Sequence, residues 1–433
     1  MKMHKPLSFL VSVTTLLALS IAIPARAEEL MSDTWPQWRG PHRDGSLGGT
    51  KLPDGLADLQ EVWKVDLGPS YSGPIVGADR VFVTETEEKK VEIVRALDRK
   101  TGKELWKQQW EGTISVPFFA KANGDWIRST PAYDGERVYV AGIREVLVCL
   151  GGETGKELWR LDFVKELKSK VPSFGCASSP LLLGDHVYIQ AGGFSKVDKL
   201  TGEIKWRVLD DGGGMSGGAF SSPYFTELSG KPQFVVQTRT TLAGVDPEDG
   251  KVLWSQKVPA FRGMNIVTPT VHKNAVFTSA YGGRSFLFAT TKNESDWTVE
   301  ESWTNKAQGY MSSPIIVDDH LYIHLRNQRF ACMNLETGES TWTTTPFGKY
   351  WSMVTDGEKI LALDEKGDLL LIKANPEKFE LIDERKVADD SWAHIAVVGN
   401  EIFVRDLKHM AVYRWRWKSK AGRLSTPFQV RNV

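Results

Sequence analysis

The side chains best suited to chemistry in this sequence are guanidinium groups and aromatic rings that recur at matching places. Arg144, Arg239, Arg284, Arg326 with Arg329, and Arg405 each follow a short apolar stretch. A ring of such groups suits a carboxylate, a phosphate or a sulfated sugar, because the planar fork donates two parallel hydrogen bonds. The competing use is pairing with a neighbouring acid such as Glu145 or Asp406. A second set comprises Tyr71, Trp126, Arg128, Phe174, Phe220, Asn265, Tyr310, Tyr350, Trp351, Trp392 and His394, each just ahead of an apolar strand. Any one of these can simply pack; converging on one axis, they would line a ligand pocket.

Catalytic constellations are missing. There is no His-Glu-x-x-His, no Gly-x-Ser-x-Gly and no pair of metal-spaced histidines, so no catalytic residue and no metal ligand is assigned. His186, His272 and His320 lie at hairpin turns, where solvation is expected. Cys149, Cys176 and Cys332 are odd in number, widely spaced and set among apolar residues, which points to buried free thiols. The run Gly212-Gly213-Gly214-Met215-Ser216-Gly217-Gly218 lacks the Lys-Ser/Thr of a phosphate loop and reads as a flexible rim loop. Gly282-Gly283 reads as a hairpin turn.

The elements that must position these residues are announced by repetition. A short strand, Asp-x-x-Thr-Gly-Lys/Glu and a tryptophan recur as Ala96-Leu97-Asp98 through Thr101-Gly102-Lys103 to Trp106. The same phrase leads to Trp159, Trp206, Trp254 and Trp342, and Trp63 ends an isolated strand of the same kind. About thirty residues upstream stand the prolines Pro74, Pro131, Pro180, Pro223, Pro269 and Pro314, each after Ser or Thr except Pro74, which follows Ser72-Gly73, and each leads to strands such as Val138-Tyr139-Val140. Four short strands repeating roughly every 40–50 residues are the mark of propeller blades. The tryptophan is large enough to bridge two blades, which assigns Trp63, Trp106, Trp159, Trp206, Trp254 and Trp342 to structural docking.

Two degenerate repeats follow, from Trp351 to Ile382 and from Trp392 to Tyr413, and the last has no fourth strand. Val62-Trp63-Lys64-Val65 is an outer strand with no inner strands before it. Joining the two closes a ring of eight four-stranded blades and removes two exposed sheet edges. The fold expected is all-β, an eight-bladed β-propeller closed by its N-terminal strand.

Ala96-Leu97-Asp98-x-x-Thr101-Gly102-Lys103-x-x-Trp106 and its siblings resemble the PQQ-like repeat, over roughly residues 60–415. That repeat builds quinoprotein alcohol dehydrogenases and the non-enzymatic outer-membrane assembly propellers of the BamB type. Trp35-Pro36-Gln37-Trp38-Arg39-Gly40-Pro41 resembles the start of secreted PQQ-like propellers of planctomycetes and related bacteria. The dehydrogenase branch implies a vicinal disulfide over the quinone and a Ca²⁺ site. No two cysteines here are adjacent, and no acidic cluster has a calcium-loop spacing. The resemblance therefore implies a binding or scaffold module for an envelope protein partner or a small anionic or sugar ligand. No cofactor is expected; the alternative is a dehydrogenase using PQQ with calcium.

Charge and the N-terminus complete the picture. Lys+Arg and Asp+Glu both number 54, which offers no basic surplus for nucleic acid. Lys2 and Lys5, the apolar run Leu7 to Ile23 and Ala25-Arg26-Ala27 form a secretory signal peptide pattern, with no lipobox cysteine after it. The organisation expected is a leader over 1–27, an extension over 28–58, the propeller over 59–417 and a tail over 418–433. The product would be a periplasmic or secreted monomer without a transmembrane segment.

Overall fold

In the computed structural model, which describes residues 33–416, each Ser/Thr-Pro pair opens the inner strand of a four-stranded antiparallel sheet. Eight such sheets follow one another in chain order. In the first, strands Ile75–Val76, Arg80–Glu87, Val91–Asp98 and Glu104–Glu111 run from the centre to the rim. Blades 2 to 7 span 132–162, 181–208, 224–257, 270–305, 315–346 and 352–386. Blade 8 takes three strands from 396–414 and its outermost strand, Gln60–Asp66, from the start of the chain, with Trp63 opposite Val412. The ring is thus closed by hydrogen bonds between the two ends of the propeller.

Apolar burial falls between blades rather than within them. One core cluster joins Ile75, Phe82 and Val94 of blade 1 to Val138, Val140 and Val148 of blade 2. Equivalent clusters join each successive pair as far as blades 6 and 7. A blade alone would leave both faces wet, so the repeats are stable only as a stacked ring. The middle strands read as near-continuous apolar runs, such as Val81-Phe82-Val83, Val138-Tyr139-Val140 and Leu369-Leu370-Leu371-Ile372, because both faces of a blade meet a neighbour.

Tryptophan docking is visible in the hydrogen bonds. The indole Nε1 of Trp63, Trp106, Trp159 and Trp206 donates to a carbonyl of the next blade, at Arg99, Gly152, Lys199 and Glu248, over 2.9 to 3.1 Å. Each ring lies flat on the glycine of that blade's third turn; a Cβ at Gly102 would stand 2.7 Å from the Trp63 ring. Those glycines also carry positive φ, near 70° to 77°, which the tight turn demands. Trp342 docks likewise on Asn375 of blade 7.

Trp254 departs from the expected pattern. Its N–H donates to Oε1 of Gln233 in its own blade, at 2.6 Å, and the ring is buried. The cause is the next blade: strands Ser285–Lys292 and Trp297–Asn305 are joined through Asn293 to Asp296, with no Thr-Gly for an indole to cover. The docking residue missed in the sequence is Trp303, which donates to Leu335 of blade 6 at 2.7 Å and covers Gly338.

The segment before Gln60 is part of the ring. Trp35, Leu47, Leu52, Leu56 and Leu59 join blades 7, 8 and 1 in a single core cluster. Trp35 exchanges two backbone hydrogen bonds with Val76, Pro36 accepts from Tyr133, and Gly45 and Leu47 bond Thr355. All these partners stand at the far ends of inner strands. Residues 35–47 therefore cross the axis and stop one end of the channel. The expected leader, and the tail over 418–433, lie outside the described residues.

Candidate functional site

The plug is held by charge turned inward. The guanidinium of Arg43 donates to the carbonyls of Pro180 and Ser179 in blade 3 at 2.9 and 3.1 Å, and Arg39 donates to Pro314 in blade 6 at 2.5 Å. Inner-strand carbonyls facing the axis have no strand partner, so a buried cation satisfies them. Burial lowers both arginines, Arg39 to about 10 and Arg43 to about 9. Both guanidinium groups lie over the Trp38 ring, at 5.5 and 5.3 Å. The ring itself is packed edge-on against His394 at 5.1 Å and forms part of the lining of the pocket above.

Above Trp38 the Ser/Thr-Pro residues stitch the blades together. The backbone N–H of Gly73 donates to Thr130 Oγ1, that of Thr130 to Ser179, that of Ser179 to Ser222, and that of Ser222 to Thr268. Each bond is 2.9 to 3.0 Å and joins one blade to the next. The hydroxyl accepts the N–H that the following proline leaves without a regular strand, which gives the repeated dipeptide a physical reason.

The starts of the inner strands enclose a cavity of about 190 Å³ at the open end. Of the residues singled out in the sequence, Tyr71, Arg128, Phe174, Phe220, Tyr310, Tyr350, Trp351, Trp392 and His394 line it. Tyr71 stacks on Trp392 with centroids 4.4 Å apart, Trp392 meets Tyr350 at 3.9 Å, and Trp126 stands edge-on to Tyr71 at 5.1 Å. Met264, Ile266, Met311 and Asn123, not anticipated, complete the wall with Trp38. Trp38 was legible only as part of a leading motif, because nothing local shows that the segment reaches the axis.

The predicted arginine ring does not assemble. Arg239 is buried and donates to the carbonyls of Gly217, Gly263 and Arg262, with its face 4.5 Å from Phe220. Arg405 is fully buried and is used on the carbonyls of Gly68, Thr84, Asp406 and His409. Arg329 caps Thr344, Arg284 bonds Thr304, and the exposed Arg144 bonds Thr113. Arg326 lies over Tyr281 and bonds Gln308. Asn265 is buried on the carbonyls of Arg239 and Val258. Most of these groups serve backbone carbonyls of loops, where the sequence had suggested acids or ligands as their partners. Arg128 alone among the arginines reaches the cavity, bonded to the carbonyls of Gly124 and Trp126.

The electrostatics are one-sided. Among the described residues, no aspartate or glutamate lines the cavity. Burial holds His394 near 3, so the ring is neutral at ordinary pH, and burial raises the phenols of Tyr71, Tyr310 and Tyr350. Indole Nε1 of Trp351 and of Trp392 is buried without a partner among the described residues. A calcium-bound quinone needs carboxylate ligands that this lining does not provide, and among the described residues no three His, Cys, Asp or Glu gather to hold a metal. The pocket residues do not fit that group. Cys149, Cys176 and Cys332 are buried and free, and burial raises all three thiols.

Beside the cavity opens a wider cleft of about 640 Å³, lined by Phe119, Met215, Ser216, Phe261, Arg262 and Tyr281 among others. Phe118, Phe119, Met215 and Phe261 are more than half exposed. Met215 brings the glycine run to this rim, where Gly213 bridges to Lys170.

A family model described as outer membrane protein assembly factor BamB matches residues 90–344. The BamB of Yersinia pestis is 20% identical over 261 residues, 57% of this chain and 63% of the relative, so the match spans less than two thirds of that protein. The BamB of Moranella endobia (strain PCIT) is 21% identical over 367 residues, 80% of this chain and 87% of the relative. BamB from Moraxella catarrhalis superposes with a TM-score of 0.61 at 16% identity, over 84% of this chain and 99% of that one. A quinohemoprotein alcohol dehydrogenase from Comamonas testosteroni reaches 0.52 at 12% identity, over 94% and 84%. At such identities the structures speak to fold alone. With eight four-stranded blades, six of whose junctions are docked by tryptophan, and a family match over more than half its length, the chain belongs to the BamB family of PQQ-like β-propellers.

Proposed function

We propose that this propeller is a binding module that docks an envelope protein partner on its open face and performs no chemistry there. The observation that carries the reading is the plugged channel. It leaves a blind aromatic mouth whose walls, among the described residues, contain no carboxylate and one histidine, buried and neutral. General acid–base work needs a group that titrates near the working pH, and neither the arginine nor the phenols do so. The exposed Phe118, Phe119, Met215 and Phe261 beside the mouth form the kind of apolar rim that marks a protein contact. The names of the relatives, assembly factors of the outer membrane, support a partner in the cell envelope.

The test has two arms. Photo-crosslinkers placed at Phe118 and Phe261 should trap a defined envelope protein, whereas the same probe at Leu158 or Leu200 on the outer rim should not. Equal trapping at both places removes the assignment to this face. In parallel the chain is reconstituted with PQQ and Ca²⁺; quinone absorbance surviving gel filtration, with dye-linked oxidation of an alcohol or sugar, would replace the binding reading with the dehydrogenase one.

A further inference from the structure

We infer that the central cavity is itself a small-molecule site whose ligand is a single-ring aromatic carboxylate. The inference rests on the reading of the open face as a binding surface, and adds the chemistry of what its centre accepts. Three observations carry it.

The first is the shape and composition of the wall. A cavity of about 190 Å³ is somewhat larger than the roughly 150 Å³ space that holds benzene in an apolar core. It has room for one ring and one polar substituent. Tyr71, Trp392 and Tyr350 present faces and edges that hold a flat π-system by offset or edge contact.

The second is the set of polar groups in the wall, which includes a guanidinium and no carboxylate among the described residues. Indole Nε1–H of Trp351 and of Trp392 is enclosed in the wall and not open to the cavity, so the polar atoms a ligand meets are those of Arg128, Asn123, His394, the phenols and the hydroxyls. The Ser/Thr hydroxyl oxygens of the wall already accept backbone N–H groups in the inter-blade stitch. With no carboxylate among the described lining residues, and with the amide of Asn123, the neutral ring of His394 and the phenol oxygens as its side-chain acceptors, the wall cannot meet the several hydroxyl hydrogens of a neutral sugar. A carboxylate brings acceptors alone.

The third is the charge. Arg128 is the cavity's cation, and it makes no ion pair among the described residues; its two hydrogen bonds go to the carbonyls of Gly124 and Trp126. Asp125 acts on it only at longer range. A half-buried guanidinium without a counter-ion attracts an anion and excludes an amine. One cation matches one carboxylate.

The experiment is a titration of the whole chain, read by tryptophan fluorescence and calorimetry, with benzoate, benzamide, benzylamine, cyclohexanecarboxylate and glucose. Benzoate should saturate, with benzamide and cyclohexanecarboxylate each about tenfold weaker or more, and benzylamine and glucose silent. Arg128→Gln should erase the preference of benzoate over benzamide, and Arg128→Lys should keep part of it. Unchanged melting of the variants shows that the wall is intact; if Arg128→Gln melts early, Arg128→Lys carries the comparison alone. Benzoate that fails to saturate, equal binding of benzylamine or glucose, or a preference indifferent to Arg128 each overturns the inference. None of these outcomes bears on the rim crosslinks, so the ligand assignment and the docking reading fail separately.

Discussion

The two ends of the central channel use the same residue types to opposite ends. At the plugged end, Arg39, Arg43 and Trp38 are buried, and the Nη groups of the two arginines donate to carbonyls of Pro314, Pro180 and Ser179, while each Nε–H is without a partner among the described residues. At the open end, Arg128, Trp351 and Trp392 line the cavity, and Arg128 bonds only the carbonyls of Gly124 and Trp126 in its own loop. Residue type does not separate structural from binding use. The difference is whether a guanidinium bonds carbonyls of distant blades, as those of Arg39 and Arg43 do, or only those of its own loop, as that of Arg128 does. Eight inner strands leave axial carbonyls on both sides, and a short N-terminal segment answers those on one side only.

The comparison breaks most easily at the plug. Replacing Arg39 and Arg43 together by alanine leaves several buried carbonyls bare and opens a void beneath Trp38. The expected loss is about 4 kcal/mol of unfolding free energy, measured by urea denaturation. A loss below about 1 kcal/mol would mean that the plug rests on the ring without holding it.

A smaller effect is expected at Glu145, in the loop between strands Arg137–Gly142 and Val146–Gly151. Its Oε1 accepts from Gly192 of the next blade, while Oε2 is buried and unpartnered. Burial first, with Asp211 adding to it, raises the acid from 4.5 to about 7. A carboxyl whose folded value is raised lends its stability below about 4.5 and loses it as pH rises through about 7. Glu145→Gln keeps the acceptor and removes the buried charge. It should stabilise the protein by about 1 kcal/mol at pH 8 and by nothing at pH 4.5, read as the difference between melting curves across that window. A gain independent of pH would show that burial of charge is not the cause.

The smallest effect should come from Arg128→Met. Its hydrogen bonds are made at the edge of an open cavity, where water can replace the guanidinium, so stability should change by less than about 1 kcal/mol. A loss as large as that at the plug would erase the distinction between the two ends and make Arg128 a structural residue.

Legibility follows the range of the interaction. Thr101-Gly102 and its repeats announced turn, strand and docking indole together, because all three lie within one blade or its neighbour. The same rule failed at Trp254, whose partner turn in the next blade lacks glycine, and it passed over Trp303, whose own blade lacks the phrase. The mouth aromatics could be anticipated, since each precedes an inner strand and the ring brings such positions to one place. The arginines could not. Arg239 and Arg405 sit at equivalent positions, but their loops fold back and offer carbonyls that no local pattern records.

By itself the sequence determined the architecture: a period set by tryptophan, Thr-Gly and Ser/Thr-Pro, and a leftover strand at one end matching the gap at the other. Those signals are local and repeated, so each blade confirms the next. Only the tertiary structure decided that residues 35–47 cross the axis, that one end is stopped and the other open, and which arginine remains facing the cavity. The reason is that axial carbonyls from distant blades become neighbours only when the ring closes, and the partner that meets them can come from anywhere in the chain.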